Sequence, residues 1–279
     1  MKVEDFDLLA KTVKERSGLV LSKDKAYLLE TRLMPVARKH GLKGLDELSD
    51  QVRRRNETLI GDITEAMTTN ESLFFRDNKP FDQFKAAVLP GLMKARESQK
   101  RVRIWSAACS SGQEPYSLSM LIKEEGSKLA DWRFDITATD ISMEMINKAK
   151  AGIYTQFEVQ RGLPITLLIK YFKQNGDKWI LDSAIRSMVQ FKPFNLLESL
   201  SGMGQFDIVF CRNVLIYFDQ ETKGKVLDGI ANQLADDGVL YLGGAETVLG
   251  ITDRFAPVPG YRGMYQKKGG TPAVVPAST

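Results

Sequence analysis

The sequence predicts an α/β protein carried behind an all-helical region, and three observations predict it. Residues 1 to about 70 place their apolar side chains at helical spacing only. From about residue 100 onward, short β-branched or aromatic runs alternate with helical stretches, the pattern of a parallel sheet with crossover helices. Polar residues directly follow several of those runs, at the carboxyl ends of strands where open α/β sheets bind ligands.

In the helical region, Phe6, Leu9 and Val13 share one face. A second segment begins after Ser22 or Asp24, either of which can cap it, and continues through Leu28, Leu29 and Leu33. Leu45, Leu48 and Val52 mark a third helix, and Ile60, Ile63 and Met67 a fourth. The exposed faces carry Arg32, Arg38, Lys39 and the run Arg53 to Arg55; for that run an ordinary solvated surface is the simpler reading. A connecting helix near 79–97 leads to the strands RVRIWSA (101–107), FDITATD (134–140), FDIVFCR (206–212) and GVLYLGG (238–244), with YRGMYQK (261–267) as a closing edge. Residues 114–126, 142–151 and 220–235 are helical in character. KWILD (178–182) and SMVQFKPF (187–194) interrupt the alternation and read as a small antiparallel insertion spanning about 153–193. The expected divisions are therefore a helical domain and linker at 1–77, a sheet domain at 78–267, and a Gly/Pro/Ser/Thr-rich tail without structure at 268–279.

Composition excludes several functions. Charged residues at 27% and hydrophobic residues at 43% are ordinary globular values. A net charge of +4 with a pI near 8.9 falls short of the dense basic stripe of a nucleic-acid binder and suits an acidic partner. Cys109, Cys211 and the single histidine His40 cannot assemble a zinc site or a disulfide framework, so no metal is expected. The acidic, amphipathic N-terminus and the absence of any run near 18 apolar residues predict a cytoplasmic protein that does not enter the membrane.

Four segments could carry chemistry. WSAACSSGQEPYSLSM (105–120) leaves a strand and opens a helix with small residues, which lets backbone N–H groups approach a ligand. It holds only Gly112 and no G-x-G-x-x-G, so it is not a dinucleotide fingerprint, and a plain strand-to-helix turn explains it equally well. Asp140 ends the second strand, where a carboxylate can accept both hydroxyls of a ribose or cap the next helix. FDIVFCRNVLIYFD (206–219) runs from a buried strand into Arg212, Asn213 and Tyr217. TTNESLFFRD (68–77) interleaves Asn70, Glu71, Ser72 and Arg76 with Leu73, Phe74 and Phe75, so one side can pack while the other faces a ligand.

Together these segments, with FNLL at 194–197, resemble the chemotaxis receptor methyltransferases, the CheR family, in the family's own motif order from the helical N-terminus to about residue 267. The resemblance implies a class I, Rossmann-like doubly wound sheet that binds S-adenosylmethionine and releases S-adenosylhomocysteine, with an N-terminal helical domain and a β-subdomain insertion. It assigns cofactor contacts to Asn70, Ser72, Arg76, Glu114, Asp140, Asn195, Leu196, Arg212 and Asn213, and for a reaction that needs no base the expected catalytic residues are Arg76 and Tyr217, orienting the substrate carboxylate. Ser72 stands where members often carry threonine. The implied substrate is a set of glutamates on the cytoplasmic helical bundle of methyl-accepting receptors, met through a basic helix bearing Arg32 and Arg38, which Pro35 interrupts; with no long apolar seam left over, a monomer is expected. Members that grip a receptor tethering peptide carry a longer glycine-containing loop in the β-subdomain. Only KQNGDK lies between Phe172 and Trp179, so the tether-independent kind is expected.

The chemistry agrees with a site that lacks a base. A glutamate of pKa about 4.3 is already ionised at neutral pH and can attack a methyl sulfonium unaided. Two rivals remain open: a related methyltransferase acting on RNA or another protein, and a silent cofactor-binding scaffold. Against the first, no N-P-P-[YF] motif occurs; against the second, Arg76, Asp140 and Tyr217 are all present.

Overall fold

A computed structural model describes residues 2–275. The chain divides into two compact units, the first running to Thr69 and including Tyr217–Lys223, the second comprising Asn70–Ile216 and the described residues from Gly224 onward. The division therefore falls eight residues before the expected end of the linker at Asp77, and TTNESLFFRD belongs largely to the second unit.

The first unit packs four helices, α1 (Val3–Ser17), α2 (Ala26–Lys39), α3 (Leu45–Arg53) and α4 (Glu57–Met67). Its core contains nearly all of the set read from helical spacing: Phe6, Leu9, Val13, Leu29, Leu33, Leu45, Leu48, Val52, Ile60, Ile63 and Met67 are buried, while Leu28 is only half-buried. Gly18, left-handed at φ 79°, ends α1 by donating its N–H to Lys14 O. Asn56 begins α4 by accepting the Leu59 N–H at 3.2 Å. Neither Ser22 nor Asp24 caps α2, because a 3-10 turn at Lys23–Lys25 intervenes. The helix continues through Pro35 to Lys39.

Two arginines differ from the plain solvated surface. Arg53 bridges Asp5 and Asp50, each at 2.7 Å, and its hydrogen bond holds the Asp5 carboxyl below the ordinary range against the opposing effect of desolvation. Arg32 donates from Nη1 to the carbonyls of Met67 at 2.8 Å and Thr68 at 2.9 Å. Those oxygens lack intrahelical partners at the end of α4, so the guanidinium serves as its C-terminal cap. Arg38 is exposed.

The second unit is built on a seven-stranded sheet. Its strands are β1 (Arg101–Ala107), β2 (Arg133–Asp140), β6 (Val189–Pro193), β7 (Phe206–Cys211), β8 (Leu234–Leu242), β9 (Phe255–Pro257) and β10 (Met264–Lys267), in the order β6-β2-β1-β7-β8-β10-β9. The first five are parallel; β10 runs antiparallel between β8 and β9. Ile104 pairs in register with Ile136 and Ile208, and every residue of β7 is buried, as expected of a central strand covered on both faces. The covering helices include α7 (Gln113–Glu124), α8 (Met143–Ala151) and α12 (Gln220–Gln233). The connection after the linker is α5 (Lys79–Gln83), a π turn and α6 (Leu89–Ala95).

A separate three-stranded antiparallel sheet forms from β3 (Ile153–Thr155), β4 (Phe172–Asn175) and β5 (Lys178–Leu181), joined by α9 (Gln156–Gln160) and α10 (Ile165–Tyr171) and followed by α11 (Ser183–Arg186). Gly176, at φ 60°, and Asp177 make the β4–β5 turn; a positive φ there favours glycine. SMVQFKPF does not belong to this insertion. Val189 and Phe191 are buried while Gln190 and Lys192 are exposed, the alternation of a strand covered on one side, and that strand is the parallel edge β6. Pro193 is tolerated at the end of an edge strand.

The expectation of an unstructured segment from 268 also changes. The Ala273 N–H donates to Asp237 O at 2.8 Å, the Val275 N–H to Ala87 O at 3.1 Å, and Tyr261 Oη to Val275 O at 2.9 Å. The rest of that segment, 276–279, lies outside the described residues. Among the described residues no helix is long and apolar enough to cross a membrane.

Candidate active site

The strand order brings the carboxyl ends of β6, β2, β1, β7 and β8 to one edge of the sheet. The turn after β1 is tightly wound: Ala108, Ser110 and Gly112 have φ of 57°, 50° and 91°. A Cβ on Gly112 would stand 3.0 Å from the Ala149 side chain and 3.2 Å from Phe191, so packing as well as backbone angle requires glycine. The Cys109 N–H donates to Thr139 O at 2.8 Å, and Tyr154 Oη of the small sheet donates to Ser111 O at 2.7 Å. Two strands and the insertion thus fix one turn.

Asp140 closes that turn. Its Oδ2 accepts the Ser110 N–H at 2.7 Å and its Oδ1 the Ser142 N–H at 2.9 Å, while Ser142 rather than Asp140 caps α8. The Ser110 hydroxyl donates to Asn70 O at 2.7 Å, and the Phe194 N–H to Asp140 O at 2.9 Å. Asn70 and Asp140 therefore meet at Ser110, and the Phe194 backbone that leads into Asn195 and Leu196 is tied to Asp140. Asn195 Oδ1 accepts the Leu197 N–H at 3.1 Å, and Asn195 and Leu196 are half-buried.

The second cluster centres on Arg212, whose side chain is 1% exposed. Nη1 donates to Glu114 Oε2 at 2.9 Å, and Nη2 to Asp77 Oδ2 at 2.7 Å and Arg76 O at 2.8 Å, with the Phe81 ring 5.8 Å away. Arg212 Nε is buried and has no partner. The other oxygen of Glu114 accepts from Ser106 Oγ at 2.8 Å. The segment that supplies Asp77 is left-handed at Phe75, Asp77 and Asn78, with φ of 51°, 68° and 46°. Such a backbone persists where its surroundings over-determine it. Here the Phe75 N–H donates to Ser117 Oγ at 3.0 Å, and the Phe74 ring packs edge-on against Tyr154 and Phe172. Arg76 itself is half-buried and donates from Nη1 to Glu71 O at 3.1 Å. Ser72 is half-buried on the same segment.

A third cluster escaped the sequence reading. Glu246, after β8, is buried and accepts four backbone N–H groups: Asn213 at 2.8 Å and Gly243 at 2.7 Å on Oε2, Val214 at 2.9 Å and Ile216 at 3.2 Å on Oε1. The Gly-Gly-Ala-Glu run that ends strand GVLYLGG was the available signal. Asp77 and Ser106 were likewise missed. Tyr217 belongs to the first unit, where its carbonyl accepts the Val20 N–H at 2.9 Å. Burial pushes the Cys109 and Cys211 thiols well above their ordinary value, so neither is a thiolate nucleophile. Among the described residues no group of His, Cys, Asp and Glu could hold a metal ion.

Five parallel strands, an antiparallel strand inserted beside the edge, and carboxylates after β1 and β2 define a class I, Rossmann-like methyltransferase. The SAM-binding domain of the CheR methyltransferases matches residues 70–264 and their all-alpha domain matches residues 4–68, so the chain belongs to the CheR methyltransferase family. Chemotaxis protein methyltransferase 1 of Pseudomonas aeruginosa is 44% identical over 258 residues, 91% of this chain and 94% of that protein. Chemotaxis protein methyltransferase Cher2 of Pseudomonas putida is 41% identical over 270 residues, 95% and 98% of the two chains. Chemotaxis protein methyltransferase 1 of Vibrio cholerae is 40% identical over 259 residues, 91% and 93%.

The donor set fits S-adenosylmethionine. An ammonium and a pair of ribose hydroxyls call for hydrogen-bond acceptors, and Glu114 and Asp140 are buried carboxylates at these strand ends. The wound turn between them, with its small residues, allows close approach of a ligand to the backbone.

Proposed function

We propose that the protein methylates glutamate side chains on the cytoplasmic helical bundle of methyl-accepting chemotaxis receptors, forming methyl esters. The observation that carries this reading is the site's composition: two buried carboxylates and an arginine clamp line the strand ends, with both cysteines protonated and the only histidine, His40, in the helical unit. Bound there, S-adenosylmethionine supplies an electrophilic methyl group. Glu114 takes the ammonium of its amino-acid end, Asp140 the ribose hydroxyls, and Asn195 and Leu196 lie beside the adenine. Asn70, Ser72 and Arg76 flank the ligand along the linker segment. Arg212 acts at one remove, holding Glu114 in place, and Asn213 forms the rim beside it.

Arg76 and Tyr217 orient the substrate carboxylate without exchanging protons with it. Positioning alone recovers much of the barrier of a bimolecular step, and excluding water favours a reaction that neutralises an anion against a cation. The ion pair from Arg76 has to stay loose, since tight pairing would stabilise reactants over the transition state. The Gly176-Asp177 turn is short, which supports binding without a tethering peptide. The protein acts in the cytoplasm as a monomer.

The test is transfer of radiolabelled methyl from S-adenosylmethionine to purified receptor bundles, with the product lost in mild base as an ester requires. Label on RNA instead, or a base-stable product, rejects the reading. In single turnovers, Arg76→Ala and Tyr217→Phe are expected to slow transfer more than they weaken binding. Titration with a receptor C-terminal peptide should give no saturable heat.

A further inference from the structure

We infer that Glu246 is a positioning residue of the transfer site, a carboxylate that ties the end of β7 to the end of β8 and so fixes the rim on which Arg212 and Asn213 stand. The inference deepens the reading above and rests on it for the identity of the ligand.

The geometry is unusual for a surface-loop glutamate. Both oxygens are used, each by two main-chain N–H groups, and the donors come from two separate segments, 213–216 after β7 and Gly243 after β8. Neighbouring parallel strands have no covalent link at their carboxyl ends, so nothing in the ladder itself holds these two loops together beyond the Cys211–Leu242 pair. The carboxylate supplies that link.

Two further observations show the cradle is shaped for it. Asn213 is held at φ 60°, a left-handed conformation that a non-glycine residue adopts at a cost, and its N–H is one of the four donors. Gly243 leaves room for the carboxylate: a Cβ there would stand 2.7 Å from Glu246 Oε2 and 2.8 Å from Asn213 Nδ2. The chain is thus bent at Asn213, immediately after the arginine that clamps Glu114. Glutamine in place of Glu246 would keep one acceptor oxygen but aim an NH2 group at two N–H donors. The bend would then lose its restraint, and displacements of about 1 Å at a reacting site can lower rates by about a hundredfold.

The inference predicts a change in ligand binding beyond any loss of stability. Glu246→Gln and Glu246→Asp are to be compared with wild type and with Asp237→Asn, a destabilising change near the start of β8, away from the strand ends that form the site. For each protein, thermal unfolding, calorimetric affinity for S-adenosylhomocysteine, and kcat and KM for receptor methylation are measured. Glu246→Gln is expected to bind S-adenosylhomocysteine at least tenfold more weakly and to lose kcat at saturating S-adenosylmethionine, with KM for receptor unchanged. Glu246→Asp should fall between it and wild type, and carries the test if the glutamine variant does not fold. Asp237→Asn should lose stability and keep its affinity. Wild-type affinity in a folded Glu246 variant, or an equal loss of affinity in Asp237→Asn, would overturn the inference. Wild-type protein that binds S-adenosylhomocysteine yet leaves receptor unmethylated would instead reject the receptor reading and leave the affinity comparison intact.

Discussion

Nη1 of Arg212 and Oε2 of Glu114 lie 2.9 Å apart in a setting where only 1% of one side chain and 12% of the other reaches solvent. Leaving one partner of such a pair alone costs about 3–5 kcal/mol, because the remaining charge stays buried without compensation. Arg212→Met should lower unfolding free energy by that amount in denaturant melts. Arg212→Lys should be milder in stability but equally damaging to S-adenosylhomocysteine affinity, since a single ammonium cannot span Glu114, Asp77 and the Arg76 carbonyl as a planar fork does. A lysine variant binding at wild-type affinity would remove the clamp from the explanation of the site.

Arg32 separates two roles that a basic helix can combine. Its bonds to the Met67 and Thr68 carbonyls make it a cap of α4, whereas exposed Arg38 makes no such contact. Arg32→Ala is expected to cost about 1 kcal/mol of stability, the usual scale of a cation at a helix C-terminus. Arg38→Ala should leave the melting temperature unchanged and raise KM for receptor, more so at low salt. Wild-type stability in Arg32→Ala, with only receptor KM affected, would return Arg32 to the docking surface.

Stability should also depend on pH through Asp237. Its hydrogen bond to Arg96, at 2.6 Å, holds the carboxyl below the ordinary range against desolvation, and Asp207 shares the same guanidinium. A carboxyl with a depressed folded pKa stabilises fully above its unfolded pKa of about 3.9 and loses that contribution as pH falls through the folded value. Asp237→Asn should therefore destabilise by about 1 kcal/mol at pH 7, a figure discounted for the partial exposure of the pair. The difference from wild type should shrink below about pH 4. Melts from pH 3 to 7 would decide it; a gap that stays constant would point to packing rather than charge.

The four N-terminal helices and the central strands were legible because burial imposes a period: Leu29 and Leu33, or the unbroken FDIVFC, can sit in few places. The edge was less legible. VQFKP alternates because one face of β6 lacks cover, and alternation alone does not distinguish a parallel edge from an antiparallel hairpin. Asp140 stands out in the sequence as a carboxylate ending a strand, whereas Glu114 is singled out only by the family resemblance. The Gly-Gly-Ala-Glu run marks the place of Glu246 but not its role, which depends on N–H groups about thirty residues away that only the β7–β8 pairing brings near. Asp77 and the Arg32 cap were hidden for the same reason: each depends on a partner fixed by tertiary packing.

The segment after β10 offers a last test, at the opposite end of the strands from the site. Residues 271–275 run back over α6 so closely that a Cβ on Gly91 would lie 2.2 Å from Ala273 O and 2.8 Å from Val274 N. Both obstacles are backbone, so the segment itself must move to admit a methyl group. Gly91→Ala should consequently release it, breaking the bonds from Ala273 to Asp237 and from Val275 to Ala87. Overpacking of this kind costs about 1–3 kcal/mol where the neighbour cannot yield, and less where it can detach. Limited trypsinolysis should then cut faster at Lys267 and Lys268, which precede the anchored stretch. Because these contacts lie at the amino end of β8, affinity for S-adenosylhomocysteine should not change. Unchanged trypsin sensitivity, or lost affinity without faster cleavage, would show that Gly91 is needed by the helix itself rather than by the strand of chain that crosses it.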